Sequence, residues 1–419
     1  MAKSIEKCSI FKPVPILDNL DKAKETFTNN VLLYNDLPNF AEKDFNAALA
    51  FLKDYNGSKA TLSTYRSTTE RLLQWSWFIN KKSIFENRRI DITQHIEFLQ
   101  NPPVTWIGTS ILPRFKNSNG SRVPNYKWRP FVVKVMKEQH RQQTQPNVKK
   151  YSPSPETIKG AFTALGSLYS FLIDEDYIDH NPVKSIKQKS KFFSTGSAYK
   201  PVQRITNLQW DLLVDCLTRN ALINPKKYAR SKFLVILMLQ TYARLSDLVT
   251  VRSEEPPKMN DFYRDSGGLW WVKFTGKGNK IREIPVSDTL LDALKEFRLY
   301  LGFTEYPSPN EQFPMLPTST GKPITCEKTL RNVVQEAFDL TVIWMKNNNY
   351  ETIDYENLLH ASAHWLRHTS ISEDIKHRPR DHVKEDAGHG SYLTTERYIE
   401  SDRLEKHQSA ISRDLTPSE

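Results

Sequence analysis

The sequence predicts a mainly α-helical chain with a small β-sheet, an α+β architecture in two domains. Three observations lead there. Only 14 of 419 residues are glycine, too few for a turn-rich β fold. Apolar residues return at three- and four-residue steps over several long windows, the period of an amphipathic helix. One pair of segments, LWWVKF and IREIPV, flanks the glycine-containing TGKGNK and reads as a β-hairpin.

The elements follow in order. Residues 1–40 show little periodicity and are expected to form an N-terminal arm. From Asp44 the helical period begins with Phe45, Leu49, Leu52 and Tyr55. A second helix is predicted over Leu62–Ile79, its apolar side made by Leu62, Tyr65, Leu72, Leu73 and Trp77. Seven prolines between Pro102 and Pro153 preclude long helices through most of residues 101–154, although Val132–Gln142 allows a short basic one. Ser154 then caps a new helix, with Pro155 at its first position and Glu156 facing the positive end of the dipole. Ile158, Phe162, Leu165, Leu168, Tyr169 and Leu172 form its stripe. The predicted domains are a helical one over 41–190, carrying a basic insert at 101–150, and a second one over 205–419. A linker over 191–204 joins them. In the second domain Phe233–Leu239 is apolar all round, as in a central buried helix. Further helices are predicted near 288–301, 325–347, 361–374, 379–386 and 393–410.

Charge is clustered. The formal net charge is +11, which favours a polyanionic partner. Between Ser110 and Lys150 stand ten basic residues and one acid, Glu138; from Asn181 to Arg204 there are six basic residues and no acid. Three cysteines, Cys8, Cys216 and Cys326, lie far apart, so neither a disulfide framework nor a zinc site is expected. No secretory leader and no apolar run of about 18 residues is visible, and a soluble intracellular protein is expected.

Several polar residues of the second domain carry potential chemistry. Arg244 and Asp247 are three apart in TYARLSDL and would share a helical face. Asp247 there steadies an arginine that grips an oxyanion, though an ordinary surface ion pair explains the same spacing. Lys277 projects from the hairpin turn, with Lys280 as a neighbouring alternative. HWLRHTS sets His364, Arg367 and His368 on one helical face. A zinc pair of His364 and His368 is disfavoured, because Trp365 replaces the glutamate of a zinc hydrolase and Arg367 puts a fixed cation between the ligands. Arg367 on an anion, with His364 moving a proton beside it, fits better. His368 reads as a structural or hydrogen-bonding residue. His389 lies in AGHGS, and Tyr398 follows it by nine residues. A phenol with its ordinary pKa near 10 is a poor nucleophile at neutral pH unless cations and a base surround it.

This series resembles the tyrosine recombinase (phage integrase) family: R-x-x-D, a hairpin lysine, H-x-x-R-H, G-H and a following tyrosine. SPETIKGAFTALGSLYSFLIDEDYIDHNPV is similar to the end of that family's core-binding domain, and the likeness spans roughly residues 44–405. It implies an N-terminal core-binding domain and a C-terminal catalytic domain in which Arg244, Lys277, His364, Arg367, His389 and Tyr398 are catalytic and Asp247 supports Arg244. Tyr242 stands where the family often has glycine, and Ala387 where it usually has leucine.

The resemblance further implies strand exchange on duplex DNA at a specific recombination site, for integration or excision of a mobile element. Tyr398 would form a 3′-phosphotyrosyl intermediate. The arginines would stabilise the transition state, and Lys277 would protonate the leaving 5′-oxygen. His364 and His389 would handle the tyrosine proton. Neither metal nor cofactor is expected. Candidate DNA-binding residues are Arg66, Arg71, Arg114, Lys127, Arg129, Lys187 and Lys189. Expected partners are a homo-tetramer on DNA and an accessory directionality factor, at a cytoplasmic, nucleoid-associated location with no membrane. A type IB topoisomerase-like relaxase and a non-cutting DNA-binding protein are the alternatives.

Overall fold

A computed structural model describes residues 13–31, 37–118, 120–133, 135, 137, 143–187, 202–249, 255–276, 280–389, 398 and 410–411. The chain divides into two units, residues 1–197 and 198–419.

The first unit is built on α1 (Ala41–Asp54), α2 (Lys59–Trp75), α3 (Arg89–Gln100) and α4 (Pro155–Asp174). Ser58 and Ser154 cap α2 and α4 by accepting the N–H groups of Thr61 and Thr157, satisfying donors that a helix start leaves open. The apolar stripe of α4 packs on α2. Residues 13–31 are more than an arm. Ile16, Leu17 and Phe27 are buried in this core, and Phe27 stacks on Phe45 at 3.8 Å. The carboxylate of Glu70, itself buried in α2, explains the attachment: it accepts the N–H groups of Ile16 and Leu17 at 2.8 and 3.0 Å. Its second oxygen accepts Arg114 Nε at 2.8 Å.

Arg114 belongs to the insert, which forms two small strand pairs. β1 (Ile107–Gly108) lies parallel to β4 (Phe131–Val132), and β2 (Phe115–Ser118) forms an antiparallel hairpin with β3 (Ser121–Pro124). The short helix expected over 132–142 falls largely outside the described residues.

His95 on α3 is fully buried beside the Trp75 ring at 5.0 Å. Burial, then the nearby Arg71 charge, pushes its pKa down to about 3. An unfolded histidine titrates near 6.5, so between these values the unfolded chain binds the extra proton and stability falls as pH drops. We expect His95→Phe to flatten the acid limb of a urea-unfolding profile between about pH 6.5 and 4, by up to about 1.4 kcal/mol per pH unit. An unchanged slope would remove His95 from the acid response.

The second unit places α6 (Pro225–Thr241) at its centre, with α5 (Asn207–Ile223), α7 (Asp288–Tyr300), α8 (Glu327–Asn347) and α10 (Ala363–His377) around it. Every side chain from Phe233 to Leu239 is buried, as its unbroken apolar run predicted. α9 (Thr352–His360) precedes α10, and α11 (Arg380–Ala387) follows it. β6 (Trp270–Thr275) and β7 (Ile281–Pro285) form the expected hairpin, and a third strand, β5 (Phe262–Arg264), pairs with the far edge of β6. Three residues are too few to show alternation, which hid β5 from the sequence reading. The helix expected over 393–410 lies almost wholly outside the described residues. No helix among those described is long and apolar enough to cross a membrane.

Candidate active site

The site forms where the ends of α6 and α11 meet the start of β7 and the first half of α10. α6 stops because Tyr242 takes a left-handed conformation, φ 52° and ψ 22°. Two residues on, Arg244 is extended and opens a single 3₁₀ turn over Leu245–Asp247. The carboxylate of Asp247 returns to accept the main-chain N–H of Arg244 at 3.0 Å. The same oxygen pairs with Arg282 Nη2 at 2.6 Å. Asp247 thus holds the main chain of Arg244 and the side chain of a second arginine. The three-residue spacing is a cap contact in a tight turn, where the sequence had suggested a shared helical face.

Arg282 was not anticipated. Strand alternation puts it in phase with Ile284, on the inward face of β7. Its Nη1 donates to the Asp386 carbonyl at 2.7 Å, at the end of α11. Gly388 terminates that helix with φ 61°, a conformation glycine adopts without cost. A Cβ there would lie 2.6 Å from Arg282 Cδ, so the glycine also admits the arginine.

Arg367 projects from α10 and is 1% exposed. Its Nη1 donates to the Tyr242 carbonyl. Its Nη2 donates to the Ala387 carbonyl at 2.5 Å and meets His389 Nε2 at 3.0 Å. The guanidinium is fixed before any ligand arrives. At the next position of α10, one turn beyond His364, His368 Nδ1 lies 2.7 Å from the Tyr398 hydroxyl. The His389 ring stacks near Tyr398, with centroids 5.8 Å apart and planes 16° apart. His364 is exposed and packs its ring edge-on against His368 at 4.5 Å.

Of the expected catalytic set, Arg244, His364, Arg367, His389 and Tyr398 come together here. Lys277 lies outside the described residues. Lys280 is exposed and lines a cavity of about 910 Å³ with Arg244, Arg282, His382 and His389. The sequence reading gave the Tyr398 proton to His364 and His389; the structure puts His368 against the hydroxyl. The signal was its i+4 spacing from His364 beside Arg367.

Electrostatics set the chemistry. Burial, then repulsion from Arg244 and Arg282, lowers Arg367 to about 9, so it stays charged at neutral pH. Burial followed by the same three arginines brings His389 down to about 4. Burial, His364 and Arg367 bring His368 to about 4. His364 is lowered by lost hydration and then by Arg367 and Arg244. All three imidazoles are therefore mainly neutral at pH 7, and the ring nitrogen of His389 that faces Arg367 acts as an acceptor. The guanidiniums repel one another, and an oxyanion placed among them relieves that repulsion.

The candidate DNA-binding residues are placed differently. Arg71 donates Nε and Nη2 to the Pro130 carbonyl and lies over the Phe131 ring at 4.8 Å. Arg114 binds Glu70 and Ser67, and Arg129 binds the carbonyls of Tyr126 and Trp128. Arg71 and Arg114 fasten the insert to its own unit, and Arg129 ties the insert to itself. Arg66 is half-buried near the Arg114 charge, and Lys127 is exposed. The side chain of Lys187 and the whole of Lys189 lie outside the described residues.

The site thus sets a tyrosine hydroxyl beside fixed guanidiniums and neutral histidines, in a helical fold with a small sheet. Residues 203–405 match the Phage integrase family. Solved structures share the fold at low identity. XerH site-specific recombinase, in a post-cleavage complex with a palindromic difH substrate, is 16% identical over 98% of this chain and 94% of that one, with a TM-score of 0.55. A pre-cleavage XerH complex is 15% identical over 97% and 92%, with a TM-score of 0.50. A lambda integrase tetramer bound to a Holliday junction is 13% identical over 90% and 80%, also at 0.50. No curated protein sequence matches the chain.

Proposed function

We propose that this protein is a tyrosine recombinase that cuts and rejoins duplex DNA at a specific site, through a 3′-phosphotyrosyl intermediate formed on Tyr398. The observation that carries the reading is the fixed guanidinium of Arg367, held beside His389 and the Tyr398–His368 pair. Tyr398 Oη attacks the scissile phosphorus, and its proton passes to the neutral Nδ1 of His368. The phosphorus–O5′ bond breaks, and a lysine of the β6–β7 turn, Lys277 in our assignment, protonates the leaving oxygen. Arg367 and Arg244 stabilise charge on the non-bridging oxygens, while Asp247 holds the Arg244 main chain and Arg282. One phosphoester replaces another, so the step can run backwards when a 5′-hydroxyl from a second duplex attacks. His364, next to His368, relays or hydrogen-bonds at the open side of the site.

By its likeness to the family the active species is a homo-tetramer on paired DNA sites, working on a mobile element in the cytoplasmic nucleoid with an accessory factor setting direction. Exposed basic residues such as Lys127 contribute phosphate contacts, which supply affinity and not sequence choice.

The test uses a pool of nicked duplexes with randomised sequence. A denaturant-resistant protein–DNA adduct is expected, whose nucleotide maps by mass spectrometry to Tyr398. Sequencing the captured duplexes should return a site with inverted half-sites. An adduct on another residue, relaxation of plasmid by a monomer without site preference, or DNA binding without an adduct would each overturn the reading.

A further inference from the structure

Tyr242 occupies the left-handed position between α6 and Arg244, where a side chain is conformationally unfavourable and glycine is not. Its side chain nevertheless is wholly buried. The phenol donates to the Asp374 carboxylate near the end of α10 and accepts from Arg378 Nη1 at 2.7 Å. Arg378 Nη2 in turn binds the Asp386 carboxylate of α11 at 2.6 Å. Burial and the Asp374 carboxylate drive the phenol pKa well above its ordinary value, keeping the donor proton in place.

These bonds close a circuit around Arg367. The carbonyl of Tyr242 holds its Nη1, and the carbonyl of Ala387 holds its Nη2. The Tyr242 phenol links the turn that supplies the first carbonyl to the helices that supply Arg367 and the second. The neighbouring carbonyl of Asp386 holds Arg282.

We propose that Tyr242 is a positioning residue: its phenol, bridging Asp374 and Arg378, sets the separation of the two carbonyls that aim Arg367. The inference rests on the catalytic reading of Arg367. A glycine at this position relieves the backbone and forfeits the bridge. A phenylalanine keeps ring, volume and backbone and deletes only the bridging oxygen. The two variants therefore separate strain from positioning.

The experiment compares wild type, Tyr242→Phe, Asp374→Asn and Tyr242→Gly on a nicked duplex captured from the randomised pool, with Tyr398→Phe alongside. For Tyr242→Phe and Asp374→Asn the single-turnover cleavage rate should fall about 10- to 100-fold, the scale of a small misalignment of a positioned group. The dissociation constant for DNA should stay within a factor of two or so, because the charge is retained. A Tyr242→Phe/Asp374→Asn double variant, measured beside them, should be no slower than the slower single one, as for residues acting through one contact. Without DNA, ¹⁵N-arginine NMR should show slow amino-group exchange on Arg367 in the wild type and faster exchange in Tyr242→Phe. Tyr242→Gly should resemble Tyr242→Phe. Wild-type cleavage and unchanged Arg367 exchange in Tyr242→Phe, or a rate loss matched by an equal loss of DNA affinity, overturns the proposal. Absence of any adduct with wild type, together with a loosened Arg367 in the variant, overturns the enzymatic reading and leaves the positioning role standing.

Discussion

Tyr398→Phe should abolish the covalent protein–DNA adduct while leaving the protein folded and bound to DNA. The Tyr398 ring is 8% exposed and packs with Tyr242, Ile371, Val383 and Ala387. Phenylalanine keeps that packing and the stack on His389. What disappears is the hydroxyl and its 2.7 Å bond to His368. One buried hydrogen bond is worth about 1 kcal/mol, so thermal unfolding should move by only a few degrees. Cleavage should drop by more than about 10⁴-fold, the scale of deleting a nucleophile. The assay is adduct formation on denaturing gels beside a binding isotherm on the same duplex. If the variant still forms an adduct, for example through Tyr392, the nucleophile is misassigned.

Arg367→Lys should lower cleavage by about 10²–10³-fold, as removal of a transition-state donor does, and it should also destabilise the fold. The guanidinium meets the carbonyls of Tyr242 and Ala387 and the ring of His389 at once. A lysine ammonium is a point charge and cannot span that fork. At least one buried carbonyl loses its donor, at a cost of about 1–3 kcal/mol. Arg244 offers the contrast. It is half-exposed, and its described contact with Asp247 is through the main chain, so Arg244→Lys should lose rate with little loss of stability. Urea unfolding of both variants beside single-turnover cleavage separates the two behaviours. Equal stability of Arg367→Lys and wild type would contradict the carbonyl fork.

Local signals were readable in the sequence and long-range partners were not. The start of α4 was evident from Ser154, Pro155 and Glu156, because capping involves residues adjacent in the chain. The β6–β7 hairpin showed in its alternation. Five members of the site stood out through the order of their motifs. Arg282 and Tyr242 did not, and His368 was read as a structural or hydrogen-bonding residue without its partner Tyr398, because their roles depend on carbonyls and side chains contributed by other elements. Tyr242 was visible only as a departure from glycine; its positive φ supplies the reason. The insert teaches the same lesson in reverse. Its positive charge was plain, but the partner of Arg114 is Glu70, 44 positions earlier, and no local pattern announces it.

The way Arg367 is held has a stereochemical consequence. A guanidinium carries five N–H donors, and the two carbonyls with His389 engage three of them. The two that remain, on Nε and Nη1, leave the group on different sides, each in a direction fixed by the backbone carbonyls that hold Arg367. The non-bridging oxygens of a phosphodiester are prochiral, and donors fixed in this way meet the two unequally. We therefore expect the Rp and Sp phosphorothioates at a scissile position to be cleaved at different single-turnover rates; equal rates would show that Arg367 turns to follow its ligand.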